Sequence, residues 1–162
     1  MQVSGKEYIT KYNDGSKSVS KHLYVKLHGS FNWRSADGSD AMVIGHSKEE
    51  QINKEALLKW YSEMFKDVLL VPNMKLMVIG YSFGDDHINK VIAEAVEKAN
   101  LRLYIISPER PQRFIERMKG RVLESHTLKI VSSGLAGYYR SSFLDILRKT
   151  GDNFNIFDDY FS

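Results

Sequence analysis

At 162 residues, 43% apolar and 12% aromatic, the chain can bury the core of one soluble domain, and its formal net charge of +3 is too small to argue for nucleic acid. Having no cysteine excludes disulfides, thiolate zinc sites and a cysteine nucleophile, so any catalysis draws on histidine, carboxylates, hydroxyls or backbone amides. No run approaches the roughly 20 apolar residues that cross a bilayer, and the opening MQVSGKEYIT lacks a signal peptide's apolar centre, so a cytoplasmic protein with no membrane partner is expected.

In chain order, Tyr8 to Lys26 reads as a hairpin or arm, because short alternating runs flank Asn13-Asp14-Gly15-Ser16 and an Asp-Gly pair favours a tight turn. Leu23 to Leu27 alternates apolar and polar residues and is expected to be a strand ending at His28. The loop FNWRSADGSD follows, then a second short strand at Ala41 to Gly45. Ser47 and Glu50 fit a capping box, which predicts a long helix with Ile52, Leu57, Tyr61, Met64, Phe65, Val68 and Leu69 as its apolar stripe, down to Pro72. LMVIG (76–80) is apolar without alternation, the pattern of a central strand covered on both faces. Ile88, Val91, Ile92, Ala95, Val96 and Ala99 recur at helical spacing, and Asn100 suits the stop. LRLYIIS is a further buried strand, so 76–106 should form one strand, helix, strand unit with a right-handed crossover. Pro108 suits the first turn of a short helix carrying Phe114, Ile115 and Met118, while Leu128 to Val131 is expected to be a last strand and Tyr139 to Leu147 a last helix. The predicted class is α/β, a three-layer Rossmann-like parallel sheet, in a single domain over 1–162 with an arm at 1–22, a core at 23–149 and a tail at 150–162.

Ligands of open parallel sheets bind outside the carboxyl ends of the strands. His28, Gly80 with Tyr81 and Ser82, and Ser107 each follow an apolar run, so parallel pairing would gather them at one edge. Gly80 allows close backbone approach, and the helix start near Asp85 offers free amides and a positive dipole end to a phosphate or ribose. Two carboxylates, Asp85 and Asp86, stand against a bare phosphate cradle. Asp85 fits a helix cap, Asp86 is freer to contact a ribose hydroxyl, and Ser82 fits a turn residue as well as a ligand contact. His28 could act as a general base at neutral pH, though spacing alone favours a structural histidine. His87 fits an exposed cap neighbour or a modest ligand contact, and His22, His46 and His126 show no partnering pattern; with no metal-ligand spacing, no metal is expected. Phe31 and Trp33 are expected to pack beneath their loop. Residues 109–121 hold five Lys/Arg against two acids and residues 1–34 six against two; these read as solvated faces, so nucleic acid is not an expected partner.

KLHGSFNW (26–33) and LMVIGYSFGDDHIN (76–89) resemble, in order and separation, the two later signature segments of the sirtuin-like superfamily. The resemblance covers roughly residues 23–107, the later half of the family domain. It implies that His28 is the catalytic base, that Gly80, Tyr81, Ser82, Phe83, Asp86 and His87 belong to the NAD site, and that Ser107 lies toward the adenosine. The variant most resembled is the bacterial zinc-less group with a Gly-Tyr-Ser-Phe-x-Asp loop, which implies NAD glycohydrolase activity, often in antiphage defence. The family's Gly-Ala-Gly-x-Ser phosphate loop and its Asn-x-Asp element do not occur in this sequence. The expectation is therefore an incomplete crevice that a second copy or another chain completes, with NAD or an ADP-ribose-like nucleotide as ligand. A non-catalytic nucleotide-binding or interaction module on the same scaffold is the rival reading.

Overall fold

The computed structural model describes residues 24–45, 47–142 and 144–145; most of the Tyr8 to Lys26 arm, His22, His46 and the 150–162 tail lie outside them. The chain divides between Val68 and Leu69 into two compact units.

In the first unit, β1 (Gly29–Arg34) and β2 (Asp40–Met42) pair antiparallel, and an Arg34–Asp40 ion pair closes their far end. Between them Asp37 accepts from the Ser39 N–H and hydroxyl, which makes Ser35–Ser39 a turn and holds the Asp37 carboxyl below its usual range. The strand expected to end at His28 is not formed: residues 24–26 are irregular, 27–28 turn, and the strand starts at Gly29. Gly29, at φ +74, is what lets it start there, since a β-carbon would lie 1.9 Å from the Ala41 carbonyl oxygen. FNWR, expected as loop, continues this strand because the Asp37 turn supplies a partner for it. Trp33 does pack, against Val43, Ile52 and Leu58 together with Tyr61. Phe31 does not: it is 79% exposed.

The helix expected from Ser47 does begin there, as α1 (Lys48–Lys54), but Ser47 sits in the left-handed region and its side chain makes no capping bond. The helix is also shorter than expected. Glu55 adopts an extended conformation, its N–H turning back to the Ile52 carbonyl, and α2 (Ala56–Leu69) starts afresh. The break resets the helical phase, so Leu58 is buried at 1% exposure while the expected stripe residue Leu57 is 44% exposed.

The second unit holds β3 (Lys75–Ile79), α3 (Asp86–Ala99), β4 (Arg102–Ser107), α4 (Pro111–Glu124), α5 (His126–Ser133) and β5 (Leu135–Arg140). The strands form one parallel sheet in the order β3-β4-β5, a Rossmann-like α/β arrangement as predicted. Among the described strands β4, not β3, is central, which agrees with the exposure of Lys75 and Ile79 on β3 and the burial of Leu103, Ile105 and Ile106 on β4. Asn100 ends α3 in the left-handed conformation, with its own N–H and that of Leu101 directed to the Ala95 carbonyl. Leu103 and Ile105 face α4 and α5, while Ile106 packs with Met77 and Tyr139 on the other side of the sheet.

Three expectations fail here. Pro111, not Pro108, takes the first turn of α4, because β4 runs on to Ser107 and a Ser107–Glu109 turn intervenes. Leu128 to Val131 is helix, since Ser125 accepts from the Leu128 N–H and the i, i+3 pair of Leu128 and Val131 is buried. Tyr139 and Arg140 belong to β5, whose parallel pairing with β4 outweighs their helical periodicity; of the rest of the expected last helix, 141–142 are irregular, 144–145 are helical, and 143, 146 and 147 lie outside the described residues. No helix among the described residues is long and apolar enough to cross a membrane.

The phase reset at Glu55 is measurable. Leu58→Ala should lower stability in urea unfolding by about 2–5 kcal/mol, whereas Leu57→Ala should change it by less than about 1 kcal/mol.

Candidate functional site

The parallel register pairs Ile79 with Ile106, so the β3–α3 loop and Ser107 emerge at the same carboxyl edge of the sheet. Gly80, Tyr81, Ser82, Phe83, Asp86, His87 and Ser107 are therefore brought to one edge within the second unit. His28 lies in the first unit, half-buried in the turn before β1, with its carbonyl accepting from the Val43 N–H at 2.9 Å.

The loop leaves β3 through Gly80 at φ +68, a conformation that glycine adopts without strain. Nothing else crowds the position. Tyr81 then points its phenol between the Asn89 Oδ1 (3.0 Å) and the Asp85 carbonyl (3.2 Å). Asn89, on the first turns of α3, is 1% exposed and donates through Nδ2 to the Phe83 carbonyl at 2.9 Å. Both ends of its carboxamide are thus satisfied. Phe83 holds a left-handed backbone, φ +58, unusual for a bulky residue. Its ring is 1% exposed and packs against Tyr81 at 4.9 Å and Phe114 at 6.3 Å between centroids. What Phe83 presents to a ligand is therefore backbone, not its ring.

Asp85 occupies the N-cap position of α3, as expected, but its side chain makes no capping bond. Asp86 is exposed and His87 half-buried on the first turn, and Ser82 is exposed at the loop tip. Burial pushes the Tyr81 phenol up to about 12, with the Asp85 and Asp86 charges adding to the shift and a hydrogen bond with the Asp85 backbone and the Arg121 charge opposing it. At the neighbouring strand end, the Ser107 hydroxyl accepts from the Glu109 N–H at 3.2 Å, and the Tyr138 phenol donates to the Glu109 carbonyl at 2.9 Å.

Two residues of α4 complete the loop and were read from sequence only as part of a solvated basic face. Arg121 donates to the carbonyls of Ser82 (2.9 Å) and Phe83 (2.5 Å), and Arg117 donates to Ser82 at 3.3 Å while pairing with Glu109 at 2.8 Å. That pairing holds the Glu109 carboxyl below its ordinary range. The one signal available was their i, i+4 spacing within the 109–121 cluster. Asn89 was missed outright, since a single polar residue on the inner face of a helix pattern does not name its partners.

Chemically, the edge offers the positive end of a 14-residue helix, backbone groups of a glycine-initiated turn, and hydroxyls at Ser82 and Ser107. That set can hold a phosphate-linked ribose. Compared with known protein families, residues 2–131 match the SIR2-like domain, a span reaching well beyond the 23–107 stretch that carries the motifs. No curated protein matches the chain.

The raised Tyr81 phenol favours the folded state below pH 10, and that contribution is lost as the pH climbs through about 12. In an ultraviolet phenolate titration one tyrosine should therefore ionise after the rest, and Tyr81→Phe should remove that last step.

Proposed function

The chain belongs to the SIR2-like domain family, and from that premise we propose that it binds NAD through the Gly80–His87 loop and Ser107, with His28 as general base for cleaving the nicotinamide–ribose bond. The observation that carries the binding half is the Ile79–Ile106 register, which sets the loop and Ser107 side by side at the carboxyl edge of a parallel sheet. The SIR2-like family generally binds NAD, and the loop chemistry suits it: helix amides for the diphosphate, with Asp86 and Ser107 for ribose hydroxyls.

In the reaction, the bond between the ribose anomeric carbon and the nicotinamide nitrogen breaks, and its electron pair leaves with nicotinamide, neutralising the pyridinium. A water oxygen bonds to the anomeric carbon and His28 takes its proton. The pairing of His28 with the loop rests on the family pattern in KLHGSFNW and LMVIGYSFGDD. Antiphage defence is the biological setting that goes with this reading.

One observation favours a non-catalytic nucleotide-binding module instead: His28 sits in the turn before an antiparallel pair and does not end a strand of the parallel sheet. A single pair of measurements separates the two. Under the enzyme reading, the protein releases nicotinamide from NAD, and His28→Ala slows release by about 10²–10⁴-fold while calorimetric NAD affinity stays within about twofold. Binding without release in the unsubstituted protein selects the module. Release that survives His28→Ala removes His28 as the base.

A further inference from the structure

Phe83 poses a physical question. A left-handed backbone costs a bulky L-residue roughly 1–2 kcal/mol, and such conformations persist only where the surroundings over-determine them. The surroundings here are unusually complete. A carbonyl oxygen has two lone pairs. The Ser82 carbonyl receives Arg117 Nη1 and Arg121 Nη1, and the Phe83 carbonyl receives Arg121 Nη2 and Asn89 Nδ2. Both acceptors are filled.

We infer that Arg117 and Arg121 of α4 are positioning residues for the nucleotide loop: they clamp the Ser82 and Phe83 carbonyls so that the turn is already shaped before a ligand arrives. This rests on the NAD-binding reading of the loop and deepens it. Peptide planarity carries the effect across the backbone, because fixing the carbonyls of Ser82 and Phe83 also fixes, antiparallel to them, the N–H groups of Phe83 and Gly84. The arginines are themselves held. Arg117 is gripped by Glu109 through Nη2 at 2.8 Å and lies 5.2 Å from the centre of the Phe114 ring, which in turn packs on Phe83. Glu109 follows Ser107 by two residues, so the clamp joins both strand ends of the proposed site. A guanidinium fits the task because its planar fork reaches two adjacent carbonyls from one side chain, as Arg121 does; an ammonium is a point charge without that fork.

The test compares Arg121→Ala, Arg121→Lys and the Arg117→Ala/Arg121→Ala double variant with Lys119→Ala, a charge loss on the same helix. In ligand-free protein, amide hydrogen exchange at residues 82–86 should quicken about tenfold or more in the alanine variants, with the α3 and β4 amides unchanged. NAD affinity by calorimetry should fall by a similar factor, Arg121→Lys should lie between, and Lys119→Ala should match the unsubstituted protein. Unchanged exchange in the double variant overturns the clamp, as does exchange that quickens throughout the second unit, which marks general loss of stability. Faster loop exchange with undiminished NAD affinity overturns the positioning role. If the unsubstituted protein binds no NAD, the reading of the site falls and the role of the arginines with it, whereas loss confined to the variants supports both.

Discussion

A buried carboxamide must find partners, because leaving one of its groups unsatisfied costs about 1–3 kcal/mol. Asn89, 1% exposed on α3, meets that demand within the loop that precedes its own helix: its oxygen accepts from Tyr81 and its nitrogen donates to the Phe83 carbonyl. The loop cannot relax without orphaning one of these groups. Phe83 is thereby drawn into a left-handed turn, and its ring fills the space between Tyr81 and Phe114. Hydrogen bonding and packing at Phe83 thus act in the same direction, and together they offset the strain of its backbone.

The sheet carries the same constraint sideways. Because β3 and β4 are parallel and in unbroken register from Lys75–Arg102 to Ile79–Ile106, the loop and Ser107 leave the sheet at the same level. On the other side of β4 the register with β5 shifts once, between Leu103 and Tyr104, and that shift sets Tyr138 beside Ile105. From there Tyr138 reaches the Glu109 carbonyl with its phenol and the Phe114 ring at 5.0 Å. The Ser107–Glu109 turn is fastened from both strands, and Glu109 can hold Arg117 from a fixed place.

What could be read from the sequence divides by the range of the forces involved. Where neighbours in the chain decide, the reading and the structure agree: Asn100 takes the left-handed stop, the residues from Ile88 to Ala99 wind as one helix, and LRLYIIS pairs as a buried strand. Where distant groups decide, local pattern misleads. LKIV at 128–131 suits a strand or a helix equally, and the Ser125 cap with the buried faces of Leu128 and Val131 tips it to helix. Glu55 carries no glycine or proline to announce a break, yet its extended backbone exchanges Leu58 for Leu57 in the core. His28 was placed at a strand end because Leu23 to Leu27 alternates, whereas the strand that forms is the one whose partner, across the Asp37 turn, lies close by.

The arginines of α4 show a deeper reason why half of the candidate site was illegible. Motifs are recognised by side-chain identity, and Gly80 to Asp86 carries enough of it to be noticed. The clamp acts on carbonyl oxygens of Ser82 and Phe83, 35 to 39 positions earlier in the chain, and a carbonyl is the same on every residue. No pattern in the loop demands Arg121, and none in the helix names its target; only the parallel sheet, by placing β4 beside β3, brings donor and acceptor together. A basic cluster on a helix that follows the second strand of such a unit therefore has two readings, a solvated face or a brace for the preceding loop. Saturation of the acceptors decides between them: a solvated arginine leaves backbone carbonyls to water, whereas here two guanidiniums and one buried amide occupy both lone pairs of the Ser82 and of the Phe83 carbonyl.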